Sequence, residues 1–236
     1  MLVELRRTRL HASRVADFLK MHGSLPKPIQ PSLVGVSQAG GLSLNTALRL
    51  WAYPGGLRQR DELAQMDFEE HFGSRDVEWS VYNGIAQCTV DDVSTIYAEA
   101  TKVLQDNGIE GVSAALGEEG VASSDAIYEL RNYQLVLGYD TVPKFLELYG
   151  NGLPSKLAAE GTDPSTSLVT LLYSEIGPLN NVVELWRHGG GSQAMERSRV
   201  AARGANQWRS AIANVAKLAQ SFDTSIIRPM TPSQWF

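Results

Sequence analysis

The sequence predicts an α+β chain of two tandem ferredoxin-like (βαββαβ) domains, and three observations predict it. The first is internal repetition, which is tested before any local motif. Glu4-Leu5-Arg6 returns as Glu129-Leu130-Arg131, and Leu44-Asn45…Leu50-Trp51 returns as Leu179-Asn180…Leu185-Trp186. Between these, Val15, Phe18, Leu19, His22 and Gly23 match Val142, Phe145, Leu146, Tyr149 and Gly150 without a gap. The second is length: 236 residues leave room for two domains of roughly 100 residues each. The third is that helical and strand-like patterns alternate in the same order in both halves. The domains expected are residues 1–104 and 126–236, joined by a linker over 105–125.

In the second half, Ile127–Gln134 is rich in β-branched and aromatic residues and reads as a strand. Val142, Phe145, Leu146 and Tyr149 fall at i, i+3, i+4 and i+7, one face of a helix. Pro143 suits its first turn and Gly150 its C-terminal cap. Ser167–Tyr173 is the second strand, and Gly177-Pro178-Leu179-Asn180 turns the chain into the third, Asn181–His188. Gly189-Gly190-Gly191 ends that strand, and Ser192 is placed to cap a helix. Trp208, Ile212, Val215 and Leu218 mark another helix, and Thr224–Arg228 a last strand stopped by Pro229. The first half follows with strand Leu2–Thr8, helix Ser13–His22 and a hairpin of Leu33–Ser37 with Thr46–Tyr53. Arg58–Phe72 and part of the segment after it supply the second helix, and Ser94–Thr101 the last strand. Asn107–Ser124, rich in Gly, Ala, Ser and Glu, has little apolar content to fix its path.

Composition narrows the function classes. A hydrophobic content of 43% with 20% charged residues is that of a globular chain able to bury a core. The net charge of −5 gives no support to nucleic-acid binding or a polybasic membrane anchor. The single cysteine, Cys88, excludes an intrachain disulfide, argues for a reducing compartment, and reads as a buried apolar side chain rather than a reactive thiol. No apolar run is long enough to span a membrane, and Met1-Leu2-Val3-Glu4 enters a repeat strand without a signal segment. A cytoplasmic protein is expected.

Four pieces in order resemble the NIPSNAP family over Ile127–Trp235. They are the opening strand Ile127-Tyr128-Glu129-Leu130-Arg131-Asn132-Tyr133, the hairpin Ser174-Glu175-Ile176-Gly177-Pro178-Leu179-Asn180-Asn181 leading to Leu185-Trp186, the helix Glu196-Arg197-Ser198-Arg199 followed by Trp208, and the closing Ile226-Ile227-Arg228-Pro229. The N-terminal half keeps Glu4-Leu5-Arg6, Leu44-Asn45, Leu50-Trp51-Ala52-Tyr53 and Arg58/Arg60, has Phe68 where the family has Trp, and lacks the terminal proline signature. The resemblance implies a dimeric α/β-barrel, two ferredoxin-like sheets facing each other. With both copies in one chain, that barrel has the means to close within a single molecule; homo-oligomerisation stays open.

Strand alternation sorts the candidate site residues. Tyr128 and Leu130 alternate with Glu129, Arg131 and Tyr133; Val183 and Leu185 alternate with Glu184, Trp186 and His188. The first half sets Val3 and Leu5 against Glu4 and Arg6, and Leu48 and Leu50 against Arg49, Trp51 and Tyr53. The aliphatic set is expected on the helices, leaving the polar-aromatic set to face the opposite sheet and line a small-molecule pocket. There, His188 is the general acid/base candidate, because imidazole titrates near neutrality. Glu184 would orient it or act as a base, and Arg131 would hold an anionic group. Glu129, Tyr133, Trp186, Arg6, Arg49, Trp51 and Tyr53 would contact the ligand. The bland alternative is that the charges only pair with neighbouring strands while the tryptophans fill the barrel.

Other chemistries lack their motifs. His11, His22, His71 and His188 show no metal-ligand spacing, and no Cys-x-x-Cys occurs, so neither metal nor cofactor is expected. The triple glycine lacks a phosphate-loop lysine, and no Gly-x-Ser-x-Gly elbow is present. Arg197, Arg199 and Arg203 read as a solvated helix face. The leading expectation is a protein that holds a small organic molecule between its sheets, with cofactor-independent isomerisation, cyclisation or elimination as the chemistry open to it. Families related to the resemblance add a cofactor-free monooxygenase. The competing class is a non-catalytic adaptor working through its outer surface.

Overall fold

The computed structural model describes residues 1–26, 30–65, 75–116 and 125–230. In chain order the elements are β1 (Leu2–Leu10), α1 (Val15–Gly23), β2 (Leu33–Gly40), β3 (Thr46–Tyr53), α2 (Gly56–Gln65), α3 (Arg75–Cys88) and β4 (Thr89–Glu99). Two short helices follow, α4 (Thr101–Asp106) and α5 (Val112–Ala115). The second half gives β5 (Ile127–Leu135), α6 (Thr141–Leu157), β6 (Thr166–Ile176), β7 (Asn181–His188), α7 (Gly191–Gly204), α8 (Asn206–Val215) and β8 (Ala219–Pro229).

These eight strands form one closed barrel in the order β1-β3-β2-β8-β5-β7-β6-β4, with β4 returning to β1. Four come from each half, and all the pairs are antiparallel. The seams β2–β8 and β4–β6 therefore close the barrel within one chain. The duplicated signatures are also a duplicated register. Glu4 lies opposite Trp51 and Arg6 opposite Arg49, as Glu129 lies opposite Trp186 and Arg131 opposite Glu184. The β2–β8 seam needs its glycines. A Cβ on Gly35 would sit 2.4 Å from Cγ2 of Ile227, and Gly40 takes a φ of +107° against the Thr224 carbonyl.

The barrel interior overturns the expected assignment of faces. One apolar cluster draws on every strand: Val3 and Leu5, Leu33, Leu48 and Leu50, Tyr97, Tyr128 and Leu130, Val169 and Leu172, Val183 and Leu185, and Ile227. A single cluster with contributions from all eight strands can only fill the lumen. The aliphatic set thus faces inward, and the polar-aromatic set faces the helices. An eight-stranded barrel has room for its own side chains or one small ligand, and here the apolar cluster takes that room. Bulky charged and indole groups fit outside, where helices stand off from the sheet. Among the described residues, Trp51 and Trp186 do not fill the barrel, and the apolar cluster takes the space between the sheets where a ligand was expected.

Several boundaries also differ, and β4 and β8 each begin about five residues before the expected strand. Helix α6 runs through Gly150 to Leu157, about two turns past the expected stop. Gly150 does not cap it, and the next glycine serves packing: a Cβ on Gly152 would lie 2.4 Å from that of Ala211 on α8. Ser192 lies inside α7, whose N-cap Gly190 makes no side-chain cap hydrogen bond. The expected linker is tied down at its start, with Val112 and Leu116 buried in the lumen cluster. Residues 117–124, Phe68, His71, Trp235 and the end of the Arg58–Phe72 helix lie outside the described residues. Cys88 is buried as a free thiol. Among the described residues no helix is long and apolar enough to cross a membrane.

Candidate functional site

The outward faces of β5 and β7 carry Glu129, Arg131, Tyr133, Trp186 and His188 beneath α6, α7 and α8. Sheet and helices leave a cleft of about 960 Å³ between them. Its aromatic walls are Tyr133, Trp186, Trp208 and Phe222, with Ile212 and Val215 beside them. Arg131, Arg199, Arg203 and Arg209 line it as well, as does Lys156 from the far end of α6. Apolar walls with a few convergent charged groups are the make-up of a small-molecule site.

Glu129 is the hub of the charges. Its Oε1 accepts from Arg131 Nε at 2.8 Å and Arg199 Nη2 at 2.6 Å, and its Oε2 lies 3.2 Å from His188 Nε2. Burial alone would raise its pKa, but the hydrogen bonds from His188, Arg131 and Arg199 outweigh it and hold the carboxyl well below the usual range. Glu129 is therefore a carboxylate, and it fixes His188 with its proton on Nε2. The other imidazole nitrogen lies 2.9 Å from Thr166 Oγ1, which accepts from Ser198 Oγ at 2.9 Å. Ser198, Thr166, His188 and Glu129 thus form one hydrogen-bonded chain that ends at the cleft floor.

Glu184 has a different task from the one expected. It accepts Tyr133 Oη at 2.6 Å and Trp186 Nε1 at 2.5 Å and does not touch His188. Fully buried and absent from the cleft lining, it orients the phenol and indole that do line it. Burial, then the neighbouring Glu184, pushes the Tyr133 pKa well above the ordinary phenol value, so Tyr133 stays protonated.

The first half builds its own cleft of about 700 Å³ at the equivalent place, lined by Glu4, Arg6, His22, Arg49, Trp51, Tyr53 and Arg60 among others. Glu4 accepts from Arg6 and Ser94, both at 2.6 Å, from Arg60 Nε at 2.8 Å and from Tyr53 Oη at 3.2 Å. These donors overcome burial and lower its pKa to about 2. Burial, then Glu4, pushes the Tyr53 phenol up to about 12. Arg49 binds both oxygens of Asp92 at 2.9 Å, donates to Thr8 at 2.6 Å and lies 3.1 Å from His22 Nε2. Burial, then the positive Arg49, lowers the His22 pKa to about 3, so His22 is neutral and accepts from Arg49.

The ten expected residues therefore divide between two clefts on opposite outer faces. Arg131, Glu129, Tyr133, Trp186 and His188 share one, Arg6, Arg49, Trp51 and Tyr53 the other, and Glu184 stands behind the first. Sequence reasoning missed Lys156, Arg199, Arg203 and Trp208 in the larger cleft and His22 and Arg60 in the smaller. Of the arginines read as a solvated face, Arg197 pairs with Asp163, and Arg199 and Arg203 turn into the cleft. Their four-residue spacing, which puts both on one helix face, was the available signal. Among the described residues no three His, Cys, Asp or Glu gather in a metal-binding group.

Comparison with known proteins bears on this architecture. Solved structures share the fold along nearly the whole chain. A candidate monooxygenase of Fusobacterium nucleatum is 9% identical, with 98% of this chain and 92% of that one covered, at a TM-score of 0.57. An anthrone oxidase-like protein is 14% identical, with 98% and 91% covered, at 0.56. A NIPSNAP family protein of unknown function from Agrobacterium tumefaciens is 26% identical over 45% of this chain and 89% of its own, at 0.38. No curated protein matches the chain. The NIPSNAP family model matches residues 128–234, the stretch that supplies β5, β7 and the three helices of the larger cleft. It is thus the C-terminal half of the chain that is similar to the NIPSNAP family.

Proposed function

We propose that this chain binds a small, flat organic anion in the larger cleft, between its sheet and its helices. The observation that carries the reading is the lining: indole, phenol and phenyl walls beside four arginines, in a volume of about 960 Å³. Arginine donors left over from Glu129 would take the anionic group, and the rings would stack on its body. His188 is the proton-carrying group of this reading, and Glu184 positions Tyr133 and Trp186. Cofactor-independent isomerisation, cyclisation or elimination is the chemistry such a set can support. The two halves, 1–104 and 126–236, are read as ferredoxin-like units of one duplicated ancestor, working in a cytoplasmic setting that suits a lone buried thiol.

The test is a thermal-shift and native mass-spectrometry screen of aromatic and aliphatic acids, repeated on His188→Ala, Arg199→Ala and Trp208→Ala. A ligand that stabilises the native protein and loses binding in these variants supports the reading. A ligand whose binding ignores all three moves the site elsewhere. A second reading, a cofactor-free monooxygenase, takes its lead from the anthrone oxidase-like protein that shares the fold. Oxygen uptake with an anthrone-type substrate, sensitive to the same substitutions, would select it. A protein that binds no acid and takes up no oxygen would fit the adaptor class instead.

A further inference from the structure

Helix α6 delivers to the larger cleft a buried amine that takes no part in the hydrogen-bond network of Glu129 and Glu184. Lys156 is 8% exposed, and its Nζ is buried without a hydrogen-bond partner. It lies 3.4 Å from the centre of the Trp186 ring and 4.6 Å from that of Trp208. The nearby carboxylates are taken: Glu129 by Arg131, Arg199 and His188, and Glu184 by Tyr133 and Trp186. Indole faces attract a cation. Against that stand burial first and the like charges of Arg131 and Arg199, which outweigh Glu184 and Glu129 and hold the pKa well below the usual lysine value. A leucine or methionine would fill this place without desolvating an amine. What lysine adds is an amine that gives up its proton more readily than an ordinary lysine, the property that makes a desolvated lysine a nucleophile toward carbonyl carbon.

We propose that Lys156 is a nucleophilic amine of this cleft, and that the ligand class it takes is an aldehyde or ketone on a flat anionic body, held as an imine. The proposal rests on the reading of the cleft as a small-molecule site and adds the reacting group. The Nζ lone pair forms a bond to the carbonyl carbon while the C=O π pair moves to oxygen. The nitrogen gives up two protons, the oxygen gains two, the C–O bond breaks and water leaves, so that C=N replaces C=O with no change of oxidation state. Trp186 and Trp208 flank the reacting nitrogen, and the exposed Arg203 and Arg209 lie within reach of an anionic substituent at the open side.

The experiment treats the intact protein near neutral pH with 4-formylbenzoate and cyanoborohydride, which reduces an imine to a stable secondary amine, and maps the adducts by peptide mass spectrometry. The chain has six lysines. Ordinary lysines are almost wholly protonated at this pH, so Lys156 is expected to label about tenfold faster or more than any of the other five. Lys156→Met removes that fast adduct. Labelling confined to the other lysines, or none at all, overturns the proposal. Quenching of tryptophan fluorescence by 4-(hydroxymethyl)benzoate, which has no carbonyl, separates the two readings. If it quenches while Lys156 stays unmodified, the cleft still binds aromatic acids and only the amine's role falls; if neither occurs, both fall.

Discussion

Glu4 and Glu129 occupy the same place in the two halves and are saturated by similar donors, yet their neighbours have diverged. Tyr53 stands where the other half has His188, and Arg49 where it has Glu184. The exchange to Arg49 needs Asp92 as a counter-charge and His22 as a neutral acceptor, which makes the first half sensitive to acid. The unfolded chain protonates a histidine below its ordinary 6.5, whereas folded His22 resists to about 3, so stability present above 6.5 drains away as the pH falls between these values. Glu4 adds a second window with the same direction, from 4.5 down to about 2. Urea midpoints should therefore decline in two stages on acidification, the upper one belonging to His22. His22→Gln keeps an acceptor for Arg49 but does not titrate, so it should erase the upper stage and leave the lower. An upper stage that persists in that variant would assign it to another group.

Single elements show both what the sequence makes legible and what it hides. The spans Thr46–Tyr53 and Asn181–His188 agree with expectation, because each strand ends at turn-forming residues that have no other role. Helix α6 departs from expectation for the opposite reason: glycine in it does not mark the end, since Gly150 lies within the helix and Gly152 serves close packing against Ala211 and Trp208. Lys156 lay beyond the expected stop and could not be placed in any site. The packing makes its own prediction. In an open helix, Gly152→Ala would add about 1 kcal/mol of stability through helix propensity. Here the new Cβ meets Ala211, and overpacking of about 1–3 kcal/mol should prevail and lower the melting temperature. Adding Ala211→Gly should recover stability over the single variant, although glycine disfavours helix. A stabilised Gly152→Ala protein would show that the contact relaxes without cost.

At the scale of the whole molecule, alternation revealed two faces per strand but not which of them turns inward, since both contain groups a protein can bury. Closure decides it: the lumen admits only the residues that eight strands can interdigitate, and the larger polar and aromatic groups are left for the helices to cover. Closure also sets the relation between the halves. Each alone would expose its lumen face and two strand edges, a surface that demands a partner. Register makes Leu172 of β6 the counterpart of Gly35 in β2, since each lies across from the equivalent position of β7 or β3. A second copy of the C-terminal half, docked in place of the first half, would therefore bring Leu172 against Ile227, where even a Cβ on Gly35 would be only 2.4 Å from Cγ2. Fragments 1–124 and 125–236 made as separate chains should accordingly associate one to one when mixed, in preference to self-pairing of the C-terminal fragment. Native mass spectrometry of an equimolar mixture reads the outcome directly, and a dominant C-terminal homodimer would show that the Gly35 seam does not select the partner. Leu172→Gly in the C-terminal fragment should then shift the balance toward self-pairing, because it supplies to the second copy the clearance that only the first half now offers.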